Sequence, residues 1–422
     1  MDVRYLTVAA PLGCSWGRVT LRRYAIRDPQ NVSARGCGFL IEHCYMWKFV
    51  VFAYASVALA QTVTPTVVAS GLQVPYRVML TPRGSLLVSE GGAENNGGRI
   101  SVVSRGGNRT TLLAGLPSGK NTESQAFIGP TGLAYRNRIL YIVIANGDSD
   151  VAGPTPGTTI PNPKGTASPL LSSVLAVRFS DDIDMVTGPF TLAPKDHQTI
   201  ADGNTVTLTS GGDRAEVALL ANFQDFTPSA TTIYKHSDPY AIAFDPNSRE
   251  YVYVVDAGQD AIVRISRETG RMRTMLRIPP IPSSVPGPPV SDPVPNSITP
   301  YGNQFLVTQL TGFPFTTGAS RVSLFDPRTR ELTPFITSLT NAMQVLYIPR
   351  GAERARFLVL EFSNNFLSTP PGPGRLLLYD TTAGRPLVEG LPAPTSMEYD
   401  SSSGEVFITD LTGRLLSVKL PN

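Results

Sequence analysis

From Pro75 the chain reads P-Y-R-V-M-L-T-P-R-G-S-L-L-V-S-E. A short apolar strand is followed by a Pro/Gly turn and a second strand that ends on an acid, Glu90. Near copies begin at Pro130 (PTGLAYRNRILYIVIAN), Pro239 (PYAIAFDPNSREYVYVVD), Pro295 (PNSITPYGNQFLVTQ), Ala342 (AMQVLYIPRGAERARFLVLE) and Pro394 (PTSMEYDSSSGEVFITD). Apolar, β-branched runs bounded by Gly, Pro, Asn and Asp predict paired strands. Most copies continue into a third strand and a fourth: RISVVS then TLLAGL, AIVRIS then RTMLRI, RVSLFD then TPFITSL, RLLLYD then RPLVEGL. A β-unit repeated at this spacing predicts a propeller. Six copies predict an all-β, six-bladed β-propeller; the competing arrangement is a solenoid of hairpins.

The chain ends favour the closed form. The sixth copy stops after its third strand, RLLSVKLPN, without the outer strand of its siblings. The segment Thr66–Leu72 (TVVASGL) resembles those outer strands and is expected to complete the last blade, closing the ring and removing an open sheet edge.

Two departures from regular spacing mark loops. Blade two carries insertions over Asn146–Leu171 and Asp181–Arg214, with SVLAVRF between them and VALLANFQDF as its outer strand. Before blade four, Ile278–Pro295 (IPPIPSSVPGPPVSDPVP) is dense in proline and predicts an extended polyproline II connector. Loops on one rim commonly shape a binding face.

Composition alters the picture once the leader is set apart. Met46–Ala60 (MWKFVVFAYASVALA) has a lysine, an apolar run and small residues before Gln61, the pattern of a secretory signal peptide. The run is about a dozen residues, short of the ~20 that span a membrane; a single-pass signal anchor is the alternative. Residues 1–45 then read as a misplaced start or a disordered extension, and 61–422 as the propeller. Cys14, Cys37 and Cys44 all fall in the leader, so the mature chain would have no disulfide, thiolate nucleophile or cysteine metal site. Trp16 and Trp47 fall there too, which argues against a Trp-Asp repeat. The leader also holds seven of the 36 Lys and Arg and three of the 33 Asp and Glu, leaving 29 against 30. A near-neutral domain gives no reason to expect nucleic acid or an anionic membrane as partner. A monomer is expected.

Candidate chemistry follows the repeat. The second strands end at Glu90, Asn146, Asp256, Gln309, Glu361 and Asp410, equivalent positions on one rim near the mouth of the central channel. Six oxygen-bearing side chains converging there would suit a hard cation such as calcium. The plainer reading is that they cap the turn after strand two through local backbone N–H groups. Asn146, Asp148 and Asp150 also open a calcium-loop pattern, but Val151 and Gly157 stand where it needs Gly and Glu, so a solvated turn is expected. His197 and His236 lie in polar contexts and read as surface histidines or, alternatively, a general base. There is no G-x-S-x-G and no H-E-x-x-H, and no catalytic residue is assigned. Asn108-Arg109-Thr110 is a glycosylation sequon, meaningful in a eukaryotic source.

The segments YVVDAGQDAIVRIS, TQLTGFPFTTGASRV (Thr308–Val322), LVLEFS and GLPAPTSMEY resemble the ScyD/ScyE family of exported propellers. The likeness covers nearly all of Pro65–Leu420 and is most specific in the loop of Thr311, Gly312, Phe313 and Phe315. It implies a six-bladed fold akin to NHL, gluconolactonase-like and strictosidine-synthase-like propellers, and no settled reaction. The insertion after Asn146 is longer than that resemblance implies. The expected function is a secreted propeller binding a small molecule or protein partner at its channel mouth and rim loops, without demonstrable catalysis. The alternative is a metal-dependent (calcium) hydrolase or lyase of gluconolactonase-like or strictosidine-synthase-like type.

Overall fold

The second strand of each repeat is buried on both faces: Leu86–Glu90, for example, has no accessible position along its length. That requires a sheet sandwiched between two others, which explains why runs such as ILYIVI and YVYVVD are continuous instead of alternating. The computed structural model describes residues 62–122, 124–154, 159–223, 236–283, 285–350, 354–380 and 383–421. The signal peptide expected over Met46–Ala60 and the extension before it lie outside the described residues.

Six antiparallel blades stand around an axis, each running from an inner strand outward. The inner strands are Pro75–Leu80, Pro130–Arg136, Pro239–Phe244, Pro295–Tyr301, Ala342–Arg350 and Pro394–Asp400. Each lies beside the next, and the first lies beside the sixth. Side chains bridge the gaps where no ladder exists. Ser396 Oγ accepts from the Val78 N–H at 2.8 Å, Gln344 Oε1 accepts from the Met397 N–H at 2.8 Å, and Thr299 Oγ1 donates to the Val345 carbonyl at 2.9 Å. These bonds satisfy backbone groups on the free edges of the inner strands of blades one, six and five, at about 1 kcal/mol apiece.

Thr66–Ala69 pairs antiparallel with Arg414–Lys419, so the blade containing the chain's last strand is completed by its first. The Leu72 N–H extends the seam to the Gly413 carbonyl at 3.0 Å. Arg105 of blade one reaches Asp400 of blade six at 2.6 Å and lies over the Phe407 ring. The circle is closed as expected from Thr66–Leu72.

Blade two differs most from expectation. Asp213–Asn222 is its fourth strand, and Val206–Ser210 adds a fifth. The second insertion folds into a helix, Pro194–Ala201, and a short strand, Phe190–Thr191, which pairs in parallel with the outer strand of blade one, Arg109–Leu116. The insertion therefore ties two blades together. His197 is not on the surface: it lies buried in that helix, with Nε2 donating to the Gly115 carbonyl (2.8 Å) and Nδ1 accepting from Ser168 Oγ (3.0 Å). The proline-rich span is not a continuous polyproline II connector either. Ile281–Pro282 pairs with Val290–Ser291, folding the segment back on itself.

Candidate functional site

In five blades the polar residue at the end of strand two pairs directly with the first residue of the inner strand: Pro75 with Glu90, Pro239 with Asp256, Pro295 with Gln309, Ala342 with Glu361 and Pro394 with Asp410. In blade two the pair is Pro130 with Ile144, and Asn146 lies just beyond it. A register shift follows at this point in every inner strand. Such a bulge re-aims a side chain, and here the skipped residues include Tyr76, Tyr240, Asn296, Met343 and Thr395. All lie at one end of the axis, the channel mouth.

The six predicted residues have diverging roles. Glu90 accepts from Arg99 (2.7 Å), Ser101 Oγ (2.5 Å) and the Gln73 N–H (2.5 Å). Glu361 accepts from Arg375 (2.5 Å) and the Thr340 N–H (2.7 Å). Asp410 pairs with Arg414 at 2.7 Å and accepts from the Thr412 N–H. Each arginine sits directly across the third strand from its acid, so these carboxylates are neutralised where they stand. Gln309, opposite Arg321, receives Ser323 Oγ at 3.3 Å. Among the described residues, no three His, Cys, Asp or Glu side chains stand close enough to hold a metal ion. Of these three carboxylates, Asp410 caps the turn after strand two through the Thr412 N–H, whereas Glu90 and Glu361 bond the segment that leads into the inner strand, at Gln73 and Thr340.

Blade three breaks the pattern. Opposite Asp256 stands Ala261, with no guanidinium to offset the charge. Asp256 Oδ1 accepts from the N–H groups of Asp238 (2.8 Å), Gly258 (3.1 Å) and Gln259 (3.0 Å). Its Oδ2 is buried without a hydrogen bond of good geometry, although the Ser237 side chain lies near enough to favour the ionised form. Burial pushes the Asp256 carboxyl up to about 6.

Two further acids stand beside it. Asp238, half-buried at the mouth, accepts from the Asn146 N–H at 3.1 Å. Burial, then the negative charges of Asp256 and Asp150, push it up to about 7 against that one hydrogen bond. Asp150 is buried, receives Asn146 Nδ2 at 2.7 Å, and is raised by burial to about 6. The same amide nitrogen lies 2.9 Å from His236 Nε2, which must then accept; this assigns the proton to Nδ1, 3.3 Å from Asp150 Oδ2. The segment of Asn146, Asp148 and Asp150 is thus a folded hub: Asp148 Oδ1 accepts from the Ala167 N–H, and His236 is held within it. Neither the solvated turn nor the free surface histidine expected there is present.

Tyr76 and Tyr240 floor the mouth. Tyr76 donates to the Phe127 carbonyl at 3.1 Å, and burial, with the nearby Tyr240 and Asp238, raises its hydroxyl pKa well above the usual range. Tyr240 belongs to blade three yet packs against the apolar cluster of blades five and six, so its ring crosses the axis. Beyond it, a chamber of about 460 Å³ is lined by all six inner strands, including Arg77, Leu133, Ile242, Ile298, Leu346 and Glu398. Burial lifts Glu398 to about 7, and Arg77 opposes that shift.

The rim loop after strand two of blade four forms an aromatic group. Phe313 is exposed and meets Phe315 edge-on; Phe315 stacks on Phe366 of blade five at 4.3 Å. Thr311 is buried, and the Gly312 N–H donates to the Asp292 carbonyl. Asn108 is exposed in the turn between the third and outer strands of blade one.

Asp238 was missed in the sequence, yet it left a signal. The residue before each inner strand is Val74, Gly129, Asp238, Val294, Asn341 or Ala393, and only one of these is charged.

No known protein-family model matches the chain, and no curated protein matches it. Solved structures similar to it include a putative oxidoreductase (glucose dehydrogenase) from Thermus thermophilus. That likeness has 15% identity over 84% of this chain and 99% of the other, with a TM-score of 0.45. The PQQ-bound aldose sugar dehydrogenase of Streptomyces coelicolor is 13% identical over 85% and 98%, also at 0.45. An auxiliary nutrient binding protein of Bacteroides thetaiotaomicron is 11% identical over 82% and 69%, again at 0.45. At this level nothing about activity or ligand passes from these proteins to this chain.

Proposed function

We propose that this protein is a binding propeller that holds a small ligand bearing ammonium or other hydrogen-bond-donating groups at the channel mouth, against Asp238 and above Tyr240, with the buried Asp256 adding negative charge behind Asp238. The observation that carries this reading is the departure of blade three from its siblings. Where three blades neutralise their strand-end acid with a cross-strand arginine, blade three has Ala261 and adds Asp238 beside it. Uncompensated carboxylates in one place cost stability unless something else supplies the positive charge or the donors. The resemblance to ScyD/ScyE proteins, exported propellers without a settled reaction, is compatible with a binding role. Export itself is proposed on the strength of Met46–Ala60 alone.

The test is thermal unfolding and calorimetric titration of the mature chain with spermidine, ethanolamine, glucose and calcium. Spermidine or ethanolamine should raise the midpoint, because a ligand bound only to the folded state adds stability. Asp238→Asn should weaken that binding about tenfold, equivalent to 1.4 kcal/mol. Amines and glucose that leave the wild type unmoved would sink the reading, whereas a response to calcium alone would restore a metal role for these acids. A second reading, a hydrolase or lyase, draws on the same group. A carboxylate held near 7 is matched to general-base work at neutral pH. Turnover of simple lactones or esters that disappears in Asp238→Asn would favour it.

A further inference from the structure

The opposite end of the axis carries a second, differently charged feature. There, the turn after the inner strand of blade three meets the end of the inner strand of blade two, forming a groove of about 620 Å³. Three guanidinium groups line it: Arg136 from blade two, with Arg249 and Arg267 from blade three. Among the described residues, none of the three is in an ion pair. Asp245 is the acid on the groove wall, and its Oδ1 receives the Asn247 N–H at 2.8 Å.

Two of the arginines, Arg136 and Arg267, are held in place. The Arg136 guanidinium lies 3.9 Å over the Phe244 ring, and that of Arg267 is 5.4 Å from the same ring. Arg267 Nε donates to the Tyr141 hydroxyl at 3.0 Å, and its Nη1 to the Arg249 carbonyl at 2.6 Å. Burial, then repulsion from Arg267 and Arg249, lowers the Arg136 pKa from its ordinary value. Like charges gathered in one groove, with planar donors already oriented by aromatic rings and backbone, are poorly arranged for water alone. They are well arranged for an anion whose several oxygens accept forked hydrogen bonds.

We propose that this groove binds a tetrahedral oxyanion, the phosphate or sulfate group of a small molecule, through Arg136, Arg249 and Arg267. It lies at the far end of the molecule from the acidic mouth and does not depend on the reading given to that site. Arg267 is the preoriented member, while exposed Arg249 closes over the anion from the turn.

Titration with inorganic phosphate, inorganic sulfate and glycerol phosphate, each against sodium chloride of equal ionic strength, tests it. At least one of the three should raise the wild-type midpoint by about 2 °C or more above the chloride control. Tighter binding of glycerol phosphate than of the inorganic ions would identify an ester as the occupant; the reverse order would identify the free ion. Arg136→Gln with Arg249→Gln should abolish the response and, without any anion, unfold at a higher temperature than wild type because the repulsion is gone. Arg249→Gln alone, at an exposed turn position, should weaken binding at least fivefold with the fold intact. Midpoints equal to the chloride control, or variants that respond as the wild type does, would overturn the proposal.

Discussion

Asp238 shows how one residue can set a repeat apart. Its siblings are small, apolar or neutral, and it stands beside the one strand-end carboxylate that faces an alanine in place of a cross-strand arginine. The pH dependence of stability should register this. Burial lifts Asp150 and Asp256 to about 6, and Asp238 and Glu398 to about 7. Each holds its proton more tightly folded than unfolded. Between about pH 4 and 7 the folded chain therefore carries the extra protons, and stability falls as pH rises. His197, whose pKa burial lowers, acts in the opposite sense: its contribution is present above about pH 6.5 and lost on acidification. Four acids outweigh one histidine. The unfolding midpoint should decline from pH 5 to pH 8, each acid contributing on the order of 1 kcal/mol once solvent screening is allowed for. Asp238→Asn should flatten that slope. Calorimetry at constant ionic strength reads both; a midpoint that rises over this range would contradict the assignment.

At the scale of the element, the blades are set by close approach as much as by apolar burial. The third strand of blade five begins at Gly374, where an added Cβ would lie 2.2 Å from the Glu361 carbonyl oxygen and 2.7 Å from Cδ of Pro394. Neither is the loose end of a flexible side chain, so the backbone of blade five or the inner strand of blade six would have to move. Gly374→Ala should cost about 1–3 kcal/mol by chemical denaturation, as overpacked positions do. Gly106→Ala, where the Cβ would have open space up to 3.9 Å, should be near neutral. Equal effects of the two would remove the packing argument. The repeated strand pairs were legible because period and turn residues are local properties. The cross-strand arginines Arg99, Arg375 and Arg414 were equally present in the sequence. Their meaning emerged only once register put each opposite its acid, turning an apparent ring of ligands into local ion pairs.

At the scale of the molecule, one short strand closes the ring. Removing residues 62–72 would strip Thr66–Ala69 from Arg414–Lys419 and expose a bare edge on blade six. Exposed edges recruit other chains. Such a truncation should unfold at lower temperature and elute as oligomers in size-exclusion chromatography, whereas the full domain should elute as a monomer. A truncated chain that stays monomeric with an unchanged midpoint would mean the seam contributes little. The insertion of blade two makes a second such tie, because Phe190–Thr191 docks on the outer strand of blade one. Nothing in its local pattern announces a parallel pairing with a neighbouring blade.

By itself, the order of apolar and turn residues determined the number of blades, the four-stranded unit that recurs in them and the closing role of Thr66–Leu72, since each follows from periodicities a few residues long. Only the tertiary structure decided which carboxylates are neutralised, that Tyr240 reaches across the axis, and that Arg136, Arg249 and Arg267 share one groove. Those facts depend on register and on distances between segments far apart in the chain. A side chain's charge is written in the sequence, but the dielectric and the partners that give it consequence are supplied by the fold.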